Sequence, residues 1–164
     1  MIFAAWACQN QTDSGSLTDV ENITRVEEPV QAERLTNDFD VTTELVGTKW
    51  KLVGIVDDET NSLKVLEPKD CDNCYTITFN SVYSDCNIMF YSSINELTGS
   101  YIINDGTQEI NILIKGGTKA GEIGDGDLWR NIFPNVKSFF YKENELRLYY
   151  NDQKNHLFFK MIEL

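Results

Sequence analysis

Cysteine and histidine are the residue types in this chain that most often carry chemistry, and it contains four cysteines and one histidine. Cys71 and Cys74 form a C-x-x-C segment, a pattern typical of redox pairs, zinc sites and disulfides. A redox pair needs a helix after the motif, whereas YTITF follows here and has the pattern of a strand. For a zinc site only Cys86 and His156 are available as further ligands. In an exported protein a structural disulfide is favoured. Cys71–Cys74 is the preferred pairing, and Cys74–Cys86 is the alternative.

The glycine-rich segment GGTKAGEIGDGD, residues 116–127, raises the question of a phosphate-binding loop. Such a loop needs Gly-Lys-Ser/Thr at the start of a helix, and that pattern does not occur here. Glu122, Asp125 and Asp127 would also repel phosphate. We therefore interpret the segment as a flexible surface connection that leads into a helix.

No pattern of an enzyme is evident in the sequence. A serine hydrolase motif G-x-S-x-G is missing, and His156 lies on a predicted strand without a nucleophile beside it in sequence. We predict no catalytic residues, no cofactor and no metal. A hydrolase that uses paired carboxylates is kept as the second alternative function, because the chain is rich in acidic residues.

Cys8 follows Ala5-Trp6-Ala7, and small residues directly before a cysteine resemble the end of a bacterial lipobox. In that motif the cysteine is lipid-modified and becomes the new N-terminus. Trp6 is bulky for its position, and a basic n-region is missing, so we expect the natural start to lie upstream. The alternative is that Cys8 is a buried thiol. We predict lipidation at Cys8, with residues 1–7 as the end of a signal peptide.

The charge of the chain is strongly negative, with a formal net charge of −12. This argues against nucleic acid as a partner, because phosphate backbones are bound by basic patches. Residues 9–45 contain nine acidic and two basic residues. We therefore predict that residues 8–43 form a flexible, acidic, lipidated spacer before a β-domain at 44–164.

Apolar alternation and turn signals predict a mainly β domain. Asp105-Gly106 lies between two segments that show this alternation, and an Asp-Gly pair in that position is typical of a hairpin turn. Leu128 and Ile132 predict one short helix near 127–133, with Asp127 as N-cap and Pro134 near its end. The expected fold is an antiparallel barrel or sandwich of about eight strands. The predicted strands are 44–57, 74–80, 86–93, 97–104, 108–115, 138–143, 145–151 and 156–163.

Aromatic doublets mark the three closing strands: Phe139-Phe140, Tyr149-Tyr150 and Phe158-Phe159. Neighbouring side chains of a strand point to opposite faces, so large rings are expected on both sides of the sheet. We expect the 127–133 helix to cover the outer side. The alternative is that this outer side is a ligand or partner surface, with Trp129, Tyr149 and Phe158 as the contacts.

The opening segment resembles the META domain family, whose first strand has the pattern L-x-G-T-x-W-x-L. The matching residues here are Leu45, Gly47, Thr48, Trp50 and Leu52. The family's middle segment is matched by Cys86, Asn87, Gly99 and Tyr101. The resemblance covers roughly residues 44–164. It implies a small, exported, often lipid-anchored β-domain and brings no catalytic residues. A weaker resemblance is to lipocalin-like barrels, whose first strand carries G-x-W.

These observations together predict an envelope-associated lipoprotein that is a non-enzymatic binding or structural module. Its lipid would hold it on a bacterial membrane, which we expect to be the outer membrane with the domain facing the periplasm or the cell surface. A protein or small-molecule partner is expected, without a prediction of its identity. The alternative is a lipocalin-like carrier of a small apolar ligand, which needs an interior cavity of roughly 300 Å³ or more.

Overall fold

The computed structural model describes residues 45–80, 87–104 and 106–163. Cys8 and Cys86 lie outside the described residues. Within the described ranges the chain forms nine β-strands, one α-helix and one 3₁₀ turn. These elements are β1 Thr48–Asp57, β2 Ser62–Lys64, β3 Thr76–Phe79, β4 Ile88–Tyr91, β5 Glu96–Asn104, β6 Glu109–Gly117, α1 Gly126–Ile132, the 3₁₀ turn Phe133–Asn135, β7 Ser138–Lys142, β8 Glu145–Tyr150 and β9 Asn155–Ile162.

Eight of these strands close into an antiparallel barrel. From β3 to β9 each strand pairs with the next one in sequence, and β1 pairs with both β3 and β9. Trp50, for example, lies opposite Ile77 on one side and Met161 on the other. Closure leaves no free edge in the ring of strands. The predicted fold class, a mainly β antiparallel barrel of about eight strands, is thereby confirmed.

Strand β2 lies outside this ring and pairs only with the end of β1. All three of its residues are exposed, so it shows no apolar alternation and the sequence did not predict it. A smaller difference concerns β3, where the alternation with Ile77 and Phe79 predicts that Thr76 and Thr78 lie on a solvated face. Both are buried in the structure, and the Thr76 hydroxyl donates to the Asn73 carbonyl at 3.3 Å.

Large side chains fill the interior of the barrel. Trp129 and Phe133 stack edge to face with ring centroids 4.7 Å apart, and Phe133 lies 4.5 Å from Phe90. Such contacts add to the stabilisation that burial of apolar area provides. The largest fully buried side chains are Trp50, Trp129, Phe79, Phe90, Phe133, Phe159, Leu45, Ile77, Ile88, Leu97, Ile103 and Leu146.

The helix was predicted at the right place in the sequence but on the wrong side of the sheet. Helix α1 contributes the buried side chains of Trp129 and Ile132 to the core, and Trp129 is completely buried against Tyr75 and Phe159. The helix therefore does not cover the outer face of the closing strands. Trp129, one of the predicted contacts, is not exposed at the surface, because its indole ring is part of the core. Within the described residues, no helix is long and apolar enough to span a membrane.

The predicted N-cap of this helix is also corrected by the structure. Asp125 occupies the N-cap position, and Asp127 lies in the first turn. The Asp125 carboxylate makes no capping hydrogen bond, because it accepts from the Lys64 ammonium at 2.8 Å and from the Glu67 amide at 2.9 Å. The start of the helix is thus fixed by the segment after β2.

Candidate functional site

A surface cleft of about 320 Å³ lies where β8 turns into β9. We call it the rim cleft, and its lining residues are Lys137, Tyr149, Tyr150, Asp152 and Gln153. Small-molecule sites typically have volumes of roughly 300–1,000 Å³, with aromatic walls and a few polar groups. The volume of the rim cleft is at the lower end of this range, two of its five lining residues are aromatic, and one of them, Tyr149, was among the predicted contacts.

Two adjacent tyrosines from opposite faces of β8 contribute to the rim cleft. Tyr149 points outward and is half-buried, whereas Tyr150 packs partly against the barrel core. The cleft therefore extends over the rim of the barrel. Burial raises the pKa of the Tyr150 hydroxyl, and the nearby Asp57 carboxylate raises it further. The phenol accordingly stays protonated and can donate a hydrogen bond at neutral pH.

The turn that carries Asp152 and Gln153 has an unusual backbone. Asn151, Asp152 and Gln153 follow one another with φ values of 53°, 53° and 65°. Left-handed conformations of non-glycine residues are uncommon, and three in succession are strained. The turn is held by a hydrogen bond from the Lys154 amide to the Asn151 carbonyl and by one from the Asn151 side chain to Asn155.

A buried histidine supports the outer tyrosine of the cleft. The ring of His156 lies 5.2 Å from the ring of Tyr149, its cross-strand neighbour, and 6.5 Å from that of Phe158. His156 is 5% exposed, and its Nδ1 lies 2.9 Å from Asp58 Oδ2. The histidine therefore links the two predicted contacts Tyr149 and Phe158, and the β1–β2 turn holds it in place.

Phe158 belongs to a row of side chains that crosses the outer surface of β7, β8 and β9. Phe140, Arg147 and Phe158 lie directly opposite one another in the register of these strands. The Arg147 guanidinium carbon is 5.5 Å from the Phe140 ring centre and 5.8 Å from that of Phe158. Lys160 adds a cation 5.5 Å from the Phe158 ring. Cations thus cover the aromatic surface that we expected the helix to cover.

A disulfide joins Cys71 and Cys74, whose Cα atoms are 5.4 Å apart. The carbonyl groups of this short loop surround the side chain of Lys51. The Lys51 ammonium donates to Cys71 at 2.6 Å, Asp72 at 3.2 Å and Cys74 at 2.5 Å. Burial lowers the pKa of Lys51, although the Asp72 carboxylate opposes this. The geometry is that of a structural anchor for the loop before β3.

A second buried charge lies in the glycine-rich segment before the helix. The Glu122 carboxylate, 1% exposed, accepts hydrogen bonds from Ser92 at 2.8 Å, Ser93 at 2.7 Å and Asn95 at 2.8 Å. The Arg130 guanidinium lies 3.5 Å away. Burial by itself would raise the pKa of Glu122, but these hydrogen bonds and Arg130 outweigh it and lower the pKa. This segment is therefore anchored, in contrast to the flexible connection that we predicted.

Among the described residues, no group of three or more His, Cys, Asp and Glu side chains lies close enough together to hold a metal ion. His156 has a carboxylate partner, but it is buried beneath Tyr149. Sequence reasoning missed Lys137, Tyr150, Asp152 and Gln153 as site residues, because neither a polar turn nor a single lysine before a strand gives a signal of a cleft.

The fold and site define a small antiparallel barrel with a filled interior and a polar rim cleft. No family model matches the sequence. A Tannerella forsythia protein named "Putative lipoprotein" is 30% identical over 129 residues, which cover 75% of this chain and 79% of that protein. The chain belongs to the family of this T. forsythia protein. The resemblance to the META domain family is not confirmed by the comparisons.

Two solved structures share the fold. A protein of the DUF4847 family from Bacteroides vulgatus, solved by crystallography, superposes with a TM-score of 0.55 and 13% identity, over 71% of this chain and 93% of that chain. A Burkholderia xenovorans protein, solved by NMR, superposes with a TM-score of 0.60 and 17% identity, over 85% of this chain and 100% of that chain. At these identities the likeness shows the fold alone.

Proposed function

We propose that this protein is an envelope-associated lipoprotein whose barrel is a non-enzymatic binding module. A lipid on Cys8 holds it on a membrane, residues 8–43 form the acidic spacer, and residues 44–164 form the binding domain. The observation that carries the proposal is its membership of a family with a member named as a lipoprotein, together with Ala5-Trp6-Ala7 before Cys8. Stable anchoring follows where such a cysteine carries more than one acyl chain.

The packing of the barrel supports binding at the surface over transport of an apolar ligand inside. A carrier needs an apolar cavity. In the described barrel, Trp129 and Phe133 of the helix segment occupy the interior, in contact with Phe90 and Phe159. The rim cleft is open to solvent and has polar walls. The site that this fold offers to a partner therefore lies outside the barrel.

Lipid attachment is tested by expression from the natural genomic start in a bacterium that is fed an alkyne-labelled fatty acid. We expect the wild-type protein to carry the label and to partition into the detergent phase of Triton X-114. The Cys8→Ser variant should lose the label and move to the aqueous phase. Cys86→Ser is the matched control and should behave as wild type. If Cys8→Ser keeps the label and the partitioning, the proposed anchor is wrong.

A further inference from the structure

We propose that the rim cleft binds a neutral saccharide, with a sugar ring against Tyr149 and hydrogen bonds from the polar residues around it. This inference deepens the proposed function and rests on it, because it names the class of ligand that the binding module takes. It is carried by the volume of the cleft and by the chemistry of the side chains that line it.

The walls combine aromatic surface with groups that donate and accept hydrogen bonds. One face of a pyranose ring presents C–H groups, which pack well on an aromatic ring, while its hydroxyl groups both donate and accept. Tyr149 offers such a ring. The Lys137 ammonium and the Tyr150 hydroxyl donate, the Asp152 carboxylate accepts, and the Gln153 amide does both.

The charge of the cleft favours a neutral ligand. Lys137 and Asp152 have opposite charges, and the other three lining residues are uncharged, so the walls carry no net charge. The chain as a whole has a net charge of −12, which repels anions at long range. Lys137, Asp152 and Gln153 are exposed, so an apolar ligand would cover polar groups without compensation.

The turn from Asn151 to Gln153 places two of the lining side chains. All three residues have positive φ, and two of them, Asp152 and Gln153, line the cleft. Positive φ also occurs at Asn61, Tyr75, Gln108 and Glu143, which do not line it, so the proposal rests on the cleft and its side chains.

The cleft is also rigidly supported. His156 packs against Tyr149, and Asp58 holds His156. The Asp58 amide donates to the Lys154 carbonyl at 2.9 Å, which ties the strained turn to the β1–β2 turn. A preorganised site loses less conformational entropy when it binds, and this favours recognition of a small ligand.

The test is a titration of the full chain carrying Cys8→Ser, followed by ¹H–¹⁵N NMR and calorimetry. The probes are the neutral sugars maltotriose, cellotriose and tri-N-acetylchitotriose, with anionic sialyllactose and cationic glucosamine as comparisons. We expect saturable binding of at least one neutral trisaccharide, with shifted amides at residues 149–153. The proposal is overturned if none of the neutral sugars saturates, or if a charged sugar binds more tightly.

Two variants then assign the binding to the cleft. Tyr149→Ala should weaken binding at least tenfold, whereas Phe140→Ala, on the same outer surface, should leave it within twofold. Gln153→Gly should weaken binding at least fivefold and raise the Tm, because it removes a side chain from the cleft and relieves a strained φ. Gln108→Gly is the matched control, since Gln108 has a φ of 56° and does not line the cleft. It should raise the Tm and leave binding unchanged.

Unchanged binding in Gln153→Gly and Tyr149→Ala would overturn the proposal. The outcome is separate from that of lipid attachment, because the titration uses a chain without Cys8. A membrane-anchored protein that binds no neutral sugar contradicts this inference alone. A sugar-binding chain that carries no lipid contradicts the anchor alone.

Discussion

The indole ring of Trp129 lies 5.8 Å from the ring of Phe159, at an interplanar angle of 60°. This contact joins the short helix to the last described strand inside the barrel. Both side chains are completely buried. A seven-residue helix has little stability by itself, so its position depends on the side chains that it places in the core.

Trp129→Ala is therefore expected to lower the free energy of unfolding by about 3–5 kcal/mol, the usual cost when a large aromatic side chain is removed from a core. Urea denaturation followed by far-UV circular dichroism measures the change. The control is Leu128→Ala, next to it in the helix and 38% exposed, which should cost less than about 1 kcal/mol. A small effect of Trp129→Ala would contradict the interior position of the helix.

Glu122→Gln is expected to change how stability depends on pH. The pKa of Glu122 is lowered in the folded protein, from an ordinary value of 4.5. A carboxylate of this kind stabilises the fold above its unfolded pKa, and that stabilisation is lost as pH falls through the folded pKa. In the wild type, unfolding free energy should accordingly decrease as pH falls below about 4.5.

The Glu122→Gln variant should lose about 1–3 kcal/mol at pH 7, because the donors around it lose a charged acceptor. Its stability should then depend less on pH below about 4.5 than that of the wild type. Chemical denaturation between pH 3 and pH 7 measures both effects. Glu59→Gln is the control, since Glu59 is 65% exposed in its pair with Lys154. Parallel pH profiles of wild type and Glu122→Gln would contradict the buried network.

Lys51→Met should destabilise the loop closed by Cys71 and Cys74. The substitution keeps an unbranched side chain of nearly the same length but leaves three carbonyl oxygens without their shared donor, at a cost of about 1–3 kcal/mol. Urea denaturation and hydrogen exchange at residues 71–75 report the global and local effects. Lys69→Met is the matched control, because Lys69 is 60% exposed and pairs only with Glu67 among the contacts described. Equal effects of the two substitutions would argue against a special role of Lys51.

Arg147→Lys tests how much the contacts of the Arg147 cation with the rings of Phe140 and Phe158 contribute to stability. The Arg147 guanidinium lies over the rings of both Phe140 and Phe158, and a planar guanidinium contacts aromatic faces better than an ammonium group does, so we expect a loss of about 0.5–1 kcal/mol. Thermal unfolding at constant ionic strength measures it. Lys142→Arg, an exposed change on the neighbouring strand, should have no measurable effect. No difference between Arg147→Lys and wild type would mean that the stacking contributes nothing to stability.

The sequence was sufficient to predict the eight strands of the barrel and the helix, because their signals are local, whereas the exposed strand β2 gave no such signal. Alternation identified the strand that contains Ile77 and Phe79, and Leu128 and Ile132 identified the helix. The position of that helix relative to the sheet is a long-range property. The aromatic doublets indicated rings on the outer face, but they could not show that Arg147 and Lys160 cover them.

The candidate site was predictable only in part, for a similar reason. Tyr149 and Phe158 were identified as large rings on successive strands, and they remain predicted contacts. Asp152 and Gln153 gave no signal, because their left-handed conformations carry no glycine to mark them. Glu122 was expected to lie in a flexible surface connection. Nothing in the neighbouring sequence shows that Ser92, Ser93 and Asn95, which are distant in the chain, donate hydrogen bonds to its carboxylate.

The pairing of β1 with β9 has a consequence for how the protein is made. His156 and Asp58, held together by that pairing, are 98 positions apart in the chain. A ribosome releases the first strand long before the strand that completes it, so the ring cannot close during synthesis of its first half. Contacts of such long range make folding slow. A nascent chain with such contacts therefore stays unfolded for longer, and an unfolded chain is what a secretion channel accepts.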